Sequence, residues 1–255
     1  MKKGFKLAAI LVAVGVLALG LVGCGQQGAK EELIVGTEPT FPPFEYTDEK
    51  TQEITGFDIE LIKAIAKEAG YTVKVQSLGF EGLINAVQTG NIDVVMAGMT
   101  IDAEREKEVA FGTPYFDAGL MVAVPEDNTT INSVDDLKGK KVAVQIGTTG
   151  ADKANELKEA GIVKEVKTFN TMDAVFMELL NGTVDAVIND KPVNEVFISK
   201  NPGKIKMVGE ILDGEQYGFA VSKENEELLN QLNEGFEKVK ASGKYDELKA
   251  KYFGS

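Results

Sequence analysis

Among 255 residues the sequence has no histidine, no tryptophan and a single cysteine, Cys24. Without histidine, and with one thiol, neither a Ser-His nor a Cys-His nucleophile can be assembled, and a zinc site of the His/Cys kind is excluded as well. An intramolecular disulfide is impossible on the same count. Any catalysis would have to run on carboxylates, lysines and tyrosines. One form of positive charge is also scarce: of 27 basic residues all but Arg105 are lysine. A guanidinium offers a carboxylate two parallel N–H bonds in a fixed plane, whereas a lysine is a hydrated point charge. That difference makes the lone arginine the first candidate for a binding role; a surface pair with Glu104 or Glu108 is the alternative.

The first residues have their own character. Lys2, Lys3 and Lys6 precede "LAAILVAVGVLALGLV", an apolar run of 16 residues that ends in "LVGC" at Cys24. The run is short for a bilayer span, which needs about 20 residues, and fits the core of a secretory signal. "LVGC" resembles the bacterial lipobox, whose cysteine is lipidated and becomes the new N-terminus. Residues 1–23 are therefore expected to be a lipoprotein signal peptide, Cys24 the lipidation site, and 24–32 a flexible tether. An unlipidated signal peptide and an N-terminal membrane anchor are the other options. Stable attachment takes more than one acyl chain, so the expected location is the extracytoplasmic face of the cell membrane, held by a lipid anchor. Loss of residues 1–23 removes three lysines and no acid, leaving 24 basic against 40 acidic residues and a net charge of −16. Nucleic acid is not a partner for such a chain.

From Leu33 onward short β-rich runs alternate with amphipathic helices. "GFDIELIKAIAKEAG" puts Phe57, Leu61, Ile62, Ile65, Ala66 and Ala69 on one helical face and stops at Gly70. "YTVKVQS", "EGLINAVQTG" and "IDVVMAG" continue as strand, helix and strand. After residue 120 the pattern restarts with "LMVAV", the short helix "SVDDLKG", and then "KKVAVQ", "GADKANELKEAG", "EVKTF", "TMDAVFMELLNG" and "VDAVIND". The alternation predicts an α/β protein with mostly parallel, doubly wound sheets. Residues 31–114 with 218–255 are expected to form a larger domain and 120–212 a smaller one, with hinge strands near 115–119 and 213–217. "QTGNIDVVMAG" and "LNGTVDAVIND" echo each other, and each ends in a polar cluster at the carboxyl end of a strand, where open α/β sheets bind ligands.

Taken together, "GTEPTFPPFEY", "GFDIEL", "DVVMAGMTIDAERE", "QIGTTG" and "VDAVIND" resemble the polar amino acid-binding proteins of ABC importers, the glutamine-binding and lysine-arginine-ornithine-binding group, over residues 33–254. The resemblance implies two doubly wound α/β domains joined by two hinge strands, the type II periplasmic-binding-protein fold. It implies a monomer without cofactor or metal that captures a free L-amino acid and delivers it to the membrane subunits of an ABC permease. It assigns the ligand's α-carboxylate to Arg105 and to the backbone of Thr100 and Thr149 in the "GTTG" that begins a helix with Thr148. A plain helix cap is the other account of "GTTG". It assigns the α-ammonium to Asp190, the Thr100 hydroxyl and the Gly98 carbonyl; an aspartate closing a strand is otherwise a turn or N-cap residue. Phe41 and Phe80 would sandwich the ligand's stem, unless they merely fill a domain edge. Three prolines in "PTFPPF" stiffen the loop that presents Phe41 and Glu38. Glu38 is the specificity candidate, suited to an arginine or lysine side chain and also able to accept from a glutamine amide. Gln145 and Asn189 stand where the glutamine-binding pattern carries lysine and histidine, so positive charge is removed. Two rivals remain at this point: an amino acid-sensing receptor domain, and a dehydratase-like enzyme on the same fold with Glu38 or Asp190 as general acid.

Overall fold

A computed structural model describes residues 31–254. Cys24, the signal segment and most of the tether lie outside the described residues. The chain opens with β1 (Glu32–Thr37) and a small antiparallel sheet of β2 (Thr40–Phe41), β3 (Glu45–Thr47) and β4 (Ile54–Thr55), followed by α1 (Phe57–Ala69). β5 (Thr72–Ser77), α2 (Leu83–Gln88), β6 (Val94–Val95), a one-turn α3 (Arg105–Glu108) and β7 (Ala110–Phe111) come next. β8 (Phe116–Pro125) leads to β9 (Lys141–Gln145), α4 (Thr149–Glu159), β10 (Glu165–Phe169), α5 (Met172–Leu180), β11 (Ala186–Asp190), α6 (Lys191–Lys200) and β12 (Ile205–Val208). β13 (Gly214–Tyr217) carries the chain back to β14 (Ala220–Val221), α7 (Glu226–Ala241) and α8 (Lys244–Phe253).

Two sheets result. The first has the order β5-β1-β6-β14-β7 and the second β10-β9-β11-β8-β12. β5, β1 and β6 are parallel, as are β10, β9 and β11, because each pair is joined through a helix. Both sheets are mixed rather than all parallel: β14 runs against β6 and β7, and β8 against β11 and β12. The antiparallel members enter from the other lobe or turn straight back, so no crossover helix sets their direction. β8 and β13, the two strands on which the chain passes between lobes, pair with each other from Gly119↔Gly214 to Phe116↔Tyr217. They run close: a Cβ on Gly119 would lie 2.8 Å from the Asp213 carbonyl oxygen.

α1 forms where apolar residues recur at helical spacing, and it ends at Gly70 with φ 95°, the left-handed cap that a glycine adopts without strain. Its buried face, Phe57, Leu61, Ile62 and Ile65, packs on α7. Burying one such side chain is worth about 1.5–3 kcal/mol, so this helix pair anchors its lobe. "SVDDLKG" makes only a single 3₁₀ turn, Val134–Leu137, closed by a capping box between Ser133 and Asp136. "IDVVMAG" contributes only Val94–Val95 as strand, because the chain then leaves the sheet to build the seam between the lobes. Between the lobes' cores stands an aromatic group: Phe44 meets Phe116 at 4.9 Å, Tyr217 at 5.1 Å and Phe253 at 5.1 Å between ring centroids. No helix among the described residues is long and apolar enough to cross a membrane.

Gly56, at the entrance to α1, has φ 132°, and a Cβ there would lie 2.1 Å from the Phe44 carbonyl oxygen. Gly56→Ala is therefore expected to cost at least about 2 kcal/mol, from backbone strain and overpacking together. Urea denaturation should show a lower midpoint; an unchanged one would mean that this turn yields.

Candidate functional site

The loops that leave the carboxyl ends of β1, β6, β9 and β11 meet at the seam, where open α/β sheets place their ligands. They close around a narrow cavity that leaves about 10 Å³ of room for the centre of a water molecule. The first lobe supplies Glu38, Phe41 and Glu45 from the segment after β1, Phe80 before α2, and Gly98, Thr100 and Arg105 after β6. The second supplies Gln145 at the end of β9, Thr148 and Thr149 at the start of α4, and Asp190 at the end of β11.

Arg105 is buried, and the protein holds its guanidinium from three sides. Nη1 donates to the Thr100 carbonyl at 2.8 Å, Nη2 to the Gly147 carbonyl of the opposite lobe at 3.0 Å, and Nε lies 3.3 Å from Asp102 Oδ2. The two hydrogen bonds take one N–H of each terminal nitrogen, which leaves one on each, the pair that a carboxylate takes. Phe80 lies beneath the plane, with Cζ 5.5 Å from its ring centroid, so this aromatic supports the cation. Thr149 opens α4, and its N–H has no acceptor within the helix. The Thr148 hydroxyl caps the same helix, accepting from Ala151 N at 3.2 Å and donating to the Gln145 carbonyl at 2.8 Å. "GTTG" is thus a helix cap and at the same time turns a helix N-terminus toward the cavity.

Asp190 precedes α6 in the N-cap position but makes no side-chain cap bond. Its Oδ1 instead accepts from the Tyr217 hydroxyl at 2.6 Å, which keeps the carboxylate in the seam. Asn189 is the one residue of the sequence-based set that does not reach the cavity. Neighbouring side chains on a strand point to opposite faces, and its Nδ2 donates to Asn194 Oδ1 at 3.2 Å inside the second lobe. Glu38 Oε2 accepts from the Thr40 hydroxyl at 2.7 Å and from Gln145 Nε2 of the other lobe at 3.0 Å. Gln145 also donates to the Asn170 carbonyl, and Met172 N donates to Thr40 Oγ1, both at 3.0 Å, so the lobes are tied at Glu38 as well as at Arg105. Gly98 has φ 54°, and a Cβ there would lie 2.8 Å from the Phe41 ring, so only glycine lets that ring line the cavity.

Sequence reasoning missed a group of buried acids. Glu45 and Asp58 are both fully buried; Asp58 Oδ2 accepts from Gly98 N at 2.8 Å and from the Tyr115 hydroxyl at 2.6 Å. Asp58 therefore holds Gly98, a cavity residue, in place. Glu215 on β13 is buried beside Asp190 and Thr149. In the sequence, Asp58 reads as an ordinary acid in the first turn of a helix and Glu45 as a polar residue of a hairpin. The available signal was the pairing of "PPFEY" with "GFDIEL", two acids each next to a phenylalanine. Burial raises the pKa of Glu38 and, with Asp58 nearby, lifts Glu45 well above the usual carboxylate range. Burial likewise pushes Asp58 up to about 6, and burial with the Asp190 charge pushes Glu215 up to about 9.

Residues 33–255 match the bacterial extracellular solute-binding proteins, family 3. The chain belongs to that family. The arginine-binding extracellular protein ArtP of Bacillus subtilis is 34% identical to it over 249 residues, 97% of this chain and 96% of that protein. A solved ancestral arginine-binding protein bound to arginine matches with a TM-score of 0.84 at 47% identity, covering 88% of this chain and 99% of the other. An ancestral arginine-binding protein bound to glutamine matches with a TM-score of 0.84 at 46% identity, covering 89% and 100%. The two mixed α/β lobes are those of a type II periplasmic binding protein, and the resemblance to polar amino acid-binding proteins of ABC importers extends over the whole family domain.

Two outcomes are expected of this family 3 protein. Arg105→Lys should abolish amino acid binding, a loss of about 3–5 kcal/mol in calorimetry, with the far-ultraviolet circular dichroism unchanged; retained affinity would place the carboxylate elsewhere. The second concerns pH. A carboxyl whose folded pKa exceeds its unfolded one stabilises the fold when protonated, and that stability is lost as pH rises through the folded value. Asp58, raised from 3.8 to about 6, removes up to about 3 kcal/mol above that pH. The ligand-free protein should therefore melt at a higher temperature near about pH 5 than near about pH 8. The reverse order would mean that a cation of the protein pairs with this acid.

Proposed function

We propose that the protein captures a free cationic amino acid, arginine first among them, and presents it to an ABC permease. The observation that carries this reading is the charge of the cavity wall, where the single guanidinium of Arg105 faces the carboxylates of Glu38, Glu45 and Asp190. A zwitterion brings one negative and one positive group. Its carboxylate is matched by the two free N–H groups of Arg105 and the start of α4, and its ammonium by Asp190 with the Thr100 hydroxyl and the Gly98 carbonyl. Two acids then remain for the far end of the ligand, and buried charge has to be compensated. A guanidinium or ammonium compensates it. A glutamine amide can still donate to Glu38 but brings no charge to pair with the remaining acid, so glutamine is the weaker ligand. Phe41 and Phe80 flank the stem between the two ends. The relatives named for arginine support this choice.

The bonds from Arg105 to Gly147 and from Gln145 to Glu38 join the lobes directly over the cavity. A ligand that adds bonds to both lobes favours the closed arrangement, while the crossing ribbon of β8 and β13 absorbs the movement. Closure excludes water and strengthens each charged contact. Turnover is not expected, because Asp190 and Glu38, the two candidate acids, are engaged by Tyr217 and by Gln145 in holding the site. The order of basic start, apolar run and Cys24 supports secretion with a lipid anchor, which would keep the protein beside its permease. A thermal-shift screen of the twenty amino acids with ornithine and cystine tests the reading. Arginine should stabilise most, by about 2.7 kcal/mol at a concentration a hundred times its Kd. No response to any amino acid would overturn it.

A further inference from the structure

Glu38 was legible in the sequence as the specificity residue, yet in the structure its Oε2 is already engaged by the protein's own donors, Thr40 and Gln145. Glu45 differs. It stands on β3 directly across from Phe41 of β2, is 0% exposed, lines the same cavity, and neither of its oxygens accepts a hydrogen bond from a protein donor. Buried carboxylates without a donor are rare, and each calls for a partner. The groups facing Glu45 are nearly all acidic: Asp58 from α1, Glu38 after β1, and Asp190 on β11. Beyond Asp58 stands Tyr115, whose hydroxyl is given to Asp58 Oδ2. Asp58 Oδ1, like both Glu45 oxygens, has no donor. Arg105 lines the cavity too, but its bonds go to Thr100, Gly147 and Asp102.

Resting on the amino acid reading above, we propose that Glu45 receives the distal cation of the bound amino acid, displacing a proton held between Glu45 and Asp58. Two neighbouring acids, both fully buried and with Glu45 Oε1, Glu45 Oε2 and Asp58 Oδ1 lacking any donor, are not both ionised in a dry wall, so without a cation the pair keeps one proton. The raised pKa of both groups agrees with this. When the ligand's guanidinium arrives, the proton passes to buffer and the positive charge of the wall is conserved: one cation in, one proton out. Glu45 is thereby a specificity-determining residue, and Glu38, held by Thr40 and Gln145, serves mainly to tie the lobes. A neutral isostere of arginine, citrulline, brings no charge and leaves the proton in place.

Calorimetry of the full-length protein with arginine and with citrulline, in two buffers of different ionisation enthalpy at mildly acidic to neutral pH, tests this. Arginine binding should release about one proton and citrulline binding none. In Glu45→Gln the preference for arginine over citrulline should fall at least about tenfold. Equal proton counts for the two ligands in the wild type overturn the proposal without need of the variant, as does a Glu45→Gln protein that keeps the wild-type preference. Arginine binding with an unaltered preference sinks this inference alone; a wild type that binds no amino acid sinks the transport reading with it.

Discussion

A buried guanidinium bonded to both lobes is the constraint from which the rest of this site follows. Removing a cation from water is costly unless its donors and its charge are met, and the protein meets two donors of Arg105 with the Thr100 and Gly147 carbonyls and its charge with Asp102. The consequence is orientation. With those bonds made, the remaining N–H groups can serve one kind of partner in one plane, and Phe80 under the ring plane prevents the group from swinging out. Since one bond crosses the seam, the orientation of this cation depends on the lobes being together.

Against that cation stands an excess of acid. Glu38, Glu45 and Asp190 line the cavity, with Asp58 and Glu215 directly behind. In a low dielectric such a group repels itself, and the raised pKa values of Glu38, Glu45, Asp58 and Glu215 are the visible cost. A fold optimised only for stability would replace them by apolar residues. Their presence makes sense if a cationic ligand completes the set, because the same repulsion then becomes affinity.

Much of this architecture is written in local features of the sequence. The apolar spacing of α1 and its terminal Gly70, the alternation of helices with strands, and the singularity of Arg105 are local features, and local physics places them. "IDVVMAG" carries strand propensity but is cut to two residues where the chain leaves the sheet for the seam, and "SVDDLKG" carries helix propensity but is held to one 3₁₀ turn in the capping box of Ser133 and Asp136. Asn189 and Asp190 are neighbours of similar polarity, and only the pairing of β11 with β8 and β9 decides which one faces the cavity.

The sequence by itself determined the class of chemistry: no histidine, one arginine, a large acidic excess, and polar clusters at strand ends in two tandem α/β units. These follow from residue types and short-range periodicity, which need no partner. The tertiary structure alone decided that Glu45 joins Glu38 and Asp190 in the wall, with Asp58 and Glu215 behind. Glu45 and Asp58 lie 13 positions apart in the chain, and Glu215 returns to Asp190 on a later strand. Their burial and their closeness to one another are properties of packing. A carboxylate carries no mark of its surroundings until distant segments remove the water around it.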